Sequence, residues 1–171
     1  MKSCYSVLHG CPCGFFGNNS SHRACRCSPG QILKYRSKIS GPLADRIDIH
    51  IEVPVLKPSE LVLRQELESS KDIKQRVNRA RTRQLERFQD ANIYFNSRMN
   101  HKQIKKFCQL SDSAKELLRQ AINELGFSAR AYDKVLKISR TIADLAGESE
   151  IQTEHIAEAI QYRSLDRNLW L

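Results

Sequence analysis

The 171 residues lack several features that would announce a specialised protein. No apolar run approaches the ~18–20 residues that cross a bilayer, so the sequence gives no helical membrane span. Aromatic residues make up only 7% of the chain. Those in its basic stretch (Phe88, Tyr94, Phe95) fall at core-like spacing, which argues against a base-stacking platform. The five histidines form no H-x-x-x-H or H-E-x-x-H pattern, so a hydrolytic metal site is not indicated. No Ser-His-Asp or Cys-His pairing stands out. There is no G-x-x-x-x-G-K-[ST] loop and no acidic pair ending an apolar strand, the two devices that hold nucleotide phosphates and Mg²⁺. Internal repeats and low-complexity tracts are absent. Met1 to Gly10 carries one lysine but far too short an apolar stretch for a secretion signal, so a cytoplasmic chain is expected.

What is present is an ordinary soluble composition, 40% hydrophobic and 27% charged, on a chain long enough to bury a core. The formal net charge of +9 is unevenly placed. Between Lys71 and Lys106 eleven Lys/Arg face three acids, so +8 of it lies in that one stretch. Such a cluster suits a polyanion, nucleic acid or nucleotide, or is simply a solvated helix surface.

Composition divides the chain into three. Residues 1–30 are rich in Cys, Gly, Ser and Asn and are expected to be loop. Residues 31–54 hold a short helix from Gln31 to Ile39, a Gly-Pro break and one strand. In that strand, Ile47 to Val53, the apolar residues fall on every second position. Pro54 and Pro58 close it and open a linker.

From Ser59 onward the pattern is helix after helix: Ser59–Glu68, Lys71 to about Asp90, and His101–Cys108. Ser113 with Glu116 predicts a capping box for a further helix that carries Leu117, Leu118, Ala121, Ile122 and Leu125 and ends at Gly126. Ser128 caps the next, with Tyr132, Val135, Leu136, Ile142, Ala143 and Ala146 inward and Gly147 as its stop. Thr153 starts the last, with Ile156, Ala157 and Ile160 inward. The expected fold is the tail of an α/β domain followed by an all-helical domain of about 110 residues.

Two motifs carry chemistry. Cys11-Pro12-Cys13 and Cys25-Arg26-Cys27 offer four thiolates in two close pairs, the donor set of a tetrahedral structural zinc, although C-x-C is tighter than the usual zinc spacing. His22 is an alternative fourth ligand, and reduced thiols in a loop are the plain alternative. A disulfide framework does not suit a chain without a secretion signal. Cys4 and Cys108 stand apart as ordinary small residues. The second motif, Ser40-Gly41-Pro42-Leu43-Ala44-Asp45-Arg46-Ile47-Asp48, places one arginine between two carboxylates just before the strand. An arginine so placed either pairs with Asp45 or Asp48 or is offered to a neighbouring molecule.

Cys11-Pro12-Cys13-Gly14, the Cys25/Cys27 pair, Tyr35 to Leu43, Asp45-Arg46-Ile47-Asp48, Phe127 to Tyr132, Arg140 to Gly147 and Glu158 to Arg163 together resemble the magnesium-chelatase-like AAA+ ATPases of the ComM/YifB group. The resemblance runs from about Cys11 to Arg167. It implies a mainly α chain: the truncated end of an AAA+ α/β core with a Cys-rich insertion (1–57), then an all-helical lid domain (58–171). It implies that Arg46 is an arginine finger acting in trans and Arg130 a sensor-2 arginine. Arg130 sits in the first turn of its helix, where the macrodipole disfavours a cation; the alternative is an arginine lying over Tyr132.

The resemblance further implies hexameric rings that use ATP with Mg²⁺ to move branched DNA during natural transformation, with no membrane partner. The family carries its Walker A and B motifs ahead of this region, so the chain alone is expected to be inactive, and whether it is itself an enzyme stays open. It also departs from the family where an Asn-Pro supplies sensor 1, having Leu8-His9-Gly10 instead; the first ten residues read as the scar of a truncated frame. Two other readings remain: a small zinc-stabilised nucleic-acid-binding module, and a fragment of a true magnesium chelatase subunit.

Overall fold

The computed structural model describes residues 10–16, 24–38, 40–51, 53 and 68–168. Within them the chain is mainly helical, in the order α1 (Pro29–Arg36), α2 (Gly41–Ala44), α3 (Ser70–Arg87), a 3-10 turn (Asn96–Arg98), α4 (His101–Phe107), α5 (Asp112–Leu125), α6 (Ala129–Ala146) and α7 (Thr153–Asn168). The expected helix at Ser59–Glu68, the linker at Pro54 and Pro58, Cys4, His22 and Leu8-His9 lie outside the described residues, apart from Glu68 itself.

Helix ends follow local chemistry. Ser28 and Gln31 form a reciprocal capping box at α1, with Pro29 as its first helical residue. Asn100 and Gln103 do the same at α4. Ser69 and Ser128 cap α3 and α6. The cap of α5 is Ser111, which accepts from the Ala114 amide, and not Ser113 as the sequence suggested. The Ser113 hydroxyl instead lies between those of Ser111 (3.1 Å) and Thr153 (3.2 Å), and Glu116 is taken by Arg119 at 2.7 Å. Gly126 (φ 52°) and Gly147 (φ 95°) end α5 and α6 in the left-handed region.

α6 is the axis of the helical part: α3, the 3-10 turn, α4 and α7 all pack on it, and α5 packs on α7. Val135, Leu136 and Ala143 of α6 meet Leu118, Ile151 and Ile156 in the core. Tyr132 and Ile142 are only partly buried against it, and Ala146, the last residue of α6, is exposed rather than inward. On α7, Ala159 is fully buried where Ala157 was expected, and Ile160 only partly so.

A polar network lies beneath α3. Arg87 and Arg140 both hold Asp144, and Asn96 donates to the same carboxylate at 2.8 Å. Arg140 also donates to the carbonyls of Glu148 and Ser149, each at 2.7 Å. Burial lowers the pKa of Arg140, partly countered by Asp144.

Among the described residues of the stretch Ile47–Val53, which leave out Glu52, the expected strand does not form. Among the described residues the sole β pairing is a parallel bridge between Leu110 and Ile151. The apolar alternation is present, but no strand among the described residues offers a ladder, and Ile51 and Val53 are 68% and 83% exposed. One backbone bond, from the His50 amide to the Tyr162 carbonyl at 3.0 Å, lays this extended segment on α7 instead.

Candidate functional site

Cys11 to Gly14 form a tight turn closed by the Gly14 amide on the Cys11 carbonyl at 3.1 Å, with Pro12 at its second position and Gly14 at φ 79°. The turn aims two sulfurs at one point, and the extended Cys25–Cys27 segment brings two more. The Cys11 Sγ is 3.2 Å from that of Cys13 and 3.5 Å from that of Cys25, and the ligand atoms of Cys11, Cys13, Cys25 and Cys27 all lie within 4.8 Å of one another. The edge of a tetrahedral zinc–sulfur site is about 3.8 Å, set by Zn–S bonds of about 2.3 Å, so four-sulfur coordination fits.

The thiols do not ionise alike. The Phe15 backbone, then the Cys11 thiol, lower Cys13 to about 6. Cys25 and Cys27 each receive a backbone hydrogen bond that favours the thiolate, yet desolvation and the neighbouring thiols outweigh it, raising Cys25 and pushing Cys27 up to about 12. Four sulfurs this close cannot share negative charge unaided, and a dication is the species that lets all four ionise. The cluster is tied to α1 through Arg36, which stacks on Phe16 at 4.4 Å and donates to the Gly10 carbonyl at 3.2 Å. A Cβ on Gly10 would meet the Phe16 ring at 2.7 Å, so only glycine lets that ring close down.

The Asp45–Asp48 turn follows α2. Its two carboxylates are both engaged, but not by Arg46. Asp45 pairs with Arg163 of α7 at 3.2 Å, and Asp48 with Lys134 of α6 at 2.8 Å. The same two cations reach the backbone: Lys134 donates to the Asp45 carbonyl at 2.7 Å and weakly to that of Ile47 at 3.5 Å, and Arg163 donates to the Ile47 carbonyl. Arg163 is 2% exposed. Arg46 itself is exposed, and no described residue hydrogen-bonds or pairs with its guanidinium.

Arg130, in the first turn of α6, is likewise exposed and without a described partner. It precedes Lys134 by four residues, which puts both on one side of α6 and Arg130 one turn beyond the clasped turn. Arg130 and Lys134 thus share one side of α6, while the cysteine cluster is attached to α1.

The basic stretch divides by role. Every residue from Lys71 to Arg79 is exposed. Farther along, Arg81 stacks on Phe95 at 3.9 Å and Arg87 is spent on Asp144. Phe88 is buried and Phe95 lies under Arg81, so these two serve packing, while Tyr94 is exposed. No described helix is long and apolar enough to cross a membrane.

Lys134 and Arg163 were not singled out from the sequence as site residues. Their contacts join positions 86–118 residues apart; in sequence Arg163 marks only the end of the Glu158–Arg163 motif, and Lys134 belongs to none.

Two family models match: magnesium chelatase, subunit ChlI, over residues 5–61, and the C-terminal part of subunit ChlI over residues 67–163. The chain is 43% identical over 145 residues to the competence protein ComM of Haemophilus influenzae, covering 84% of this chain and 28% of that protein. It is 35% identical over 167 residues to the YifB protein of Escherichia coli, covering 96% and 31% respectively. To a Mycobacterium tuberculosis protein it is 27% identical over 153 residues, covering 90% and 29%. It therefore spans about three tenths of the length of the curated relatives it matches.

Proposed function

We propose that this chain, which belongs to the magnesium chelatase ChlI family in the group of ComM and YifB, supplies a catalytic arginine to the nucleotide site of a neighbouring subunit. Arg46 is the finger. The observation that carries this reading is the division of labour in the turn: both flanking carboxylates are held by the helical domain, and the arginine between them is exposed and unspent. A guanidinium held in that way can meet the oxygens of a departing γ-phosphoryl group with bidentate geometry, and the charge developing there is what an arginine finger stabilises.

Arg130 is the second phosphate contact, at the start of α6. ATP and Mg²⁺ are held by residues other than these, because the 171 residues contain no P-loop motif, and the chain alone does not turn over ATP. The four cysteines hold a structural Zn²⁺, which supplies folding energy to a segment with little core and takes no part in phosphoryl transfer. The likeness to a competence protein supports DNA as the substrate moved by the assembled ring.

The test places the chain behind the nucleotide-binding segment of its family and measures steady-state ATP turnover. Arg46→Ala is expected to lower turnover by about 10³-fold or more while nucleotide affinity holds. Unchanged turnover in a folded variant would remove the finger reading.

A second reading is a nucleic-acid-binding module, favoured by the fully exposed run Lys71 to Arg79. The chain alone would then retain duplex DNA with an affinity that falls steeply with salt.

A further inference from the structure

The turn that carries Arg46 is built as part of the helical domain. The amide-to-carbonyl bond from His50 to Tyr162 and the bonds from Lys134 and Arg163 to Asp45, Ile47 and Asp48 all run to α6 or α7. Lys134 is only 16% exposed, and Arg163 is almost fully enclosed. Burying two cations costs solvation, and that cost is met here by paired carboxylates and by backbone carbonyls of one short turn. Short exposed turns ordinarily float; this one is fixed from both sides, and its remaining side chain is left outside.

We propose that Lys134 and Arg163 are positioning residues for Arg46: they fasten the finger to α6 and α7, so that it moves with the helical domain as one body. This rests on the reading of Arg46 as a finger. A rotation of the helical domain then changes the distance between Arg46 and the neighbour's phosphates directly, without passing through the chain ahead of α2. Through Lys134, one turn along from Arg130, the same rotation carries both arginines together.

Two measurements test it. On the 171-residue chain, hydrogen exchange reads the clasp: the His50 amide is expected to be protected, and Lys134→Met is expected to speed its exchange while the amides of α6 and α7 hold. In the chain carrying the family's nucleotide-binding segment, Lys134→Met is expected to lower ATP turnover about 10- to 100-fold, the scale of a misplaced catalytic group, with KM for ATP unchanged.

The decisive arm is the double variant. In an Arg46→Ala background, Lys134→Met should add nothing, because a residue that acts only by placing Arg46 has nothing left to place. A structural residue would give additive losses, and that outcome overturns the proposal. If Arg46→Ala alone leaves turnover intact, the finger reading fails first and is distinguished from failure of the clasp. Arg163→Met is the harsher change; a loss of its cooperative melt is compared with Lys134→Met, whose partial exposure keeps the fold.

Discussion

Residues 68–168 and residues 10–53 hold together by different means. The helical part buries a continuous apolar core and a satisfied ion network, with α6 as the member that touches most of the others. The earlier part has almost no core: α1 contains no buried residue, Leu33 is 68% exposed, and Cys11 is the one apolar residue it fully encloses among those described. Where side chains fill space, the hydrophobic effect suffices. Where they do not, order has to come from a few strong, directional contacts: four clustered sulfurs placed to hold a metal at one end, and two borrowed cations at the other.

This contrast can be broken, most forcefully by removing metal. Stripping Zn²⁺ with a strong chelator is expected to abolish exchange protection in residues 10–38 and leave α3 to α7 folded; structural zinc is worth on the order of 10 kcal/mol in small metal-held folds. Identical exchange with and without zinc would mean that the cysteines are not what holds that segment.

Next in size, Asp144→Ala strands Arg87 and Arg140 beneath α3 and is expected to destabilise the helical part by about 3–5 kcal/mol, read by chemical denaturation, with zinc content unchanged. Alkali separates the regions in a different way. Burial pushes Cys108 up to about 12 from an ordinary 9.0. A thiol that binds its proton more tightly when folded stabilises fully below pH 9 and loses that contribution as pH rises toward 12. At neutral pH an alkylating reagent should therefore leave the buried Cys108 intact until the helical part unfolds.

A smaller effect, about 1 kcal/mol, is expected from Ser128→Ala, which uncaps α6; thermal melting measures it. Smallest of all is Ile49→Ser. Its side chain is 47% exposed, and a change in stability beyond about 0.5 kcal/mol would mean that the segment is more enclosed than its surface implies.

Local rules made the helical part legible. Ser128, Gly126 and Gly147 marked their helix ends in sequence and do so in the structure, because a cap or a left-handed glycine depends only on its neighbours. The Ser111 cap was missed since two serines stand two residues apart, and only the approach of Thr153 decides between them. Strand periodicity at Ile47–Val53 misled for a related reason: alternation describes a chain that could join a sheet, and pairing needs a partner strand. The four cysteines were found by spacing, but that Arg46 is not paired with Asp45 or Asp48 could not be read. That depends on Lys134 and Arg163, cations whose relevance emerges only when α6 and α7 are folded against the turn.

The two backbone carbonyls on either side of Arg46, those of Asp45 and Ile47, are both drawn inward. The turn is thereby a ruler of fixed length. Inserting a single residue would leave every side chain present and yet bring a different one to the outside, and deleting one would also remove Arg46 or Ile47. Insertions and deletions between Asp45 and Asp48 are consequently the changes this protein can least absorb, and a conservative exchange such as Arg46→Lys, which keeps the length, is the gentler injury.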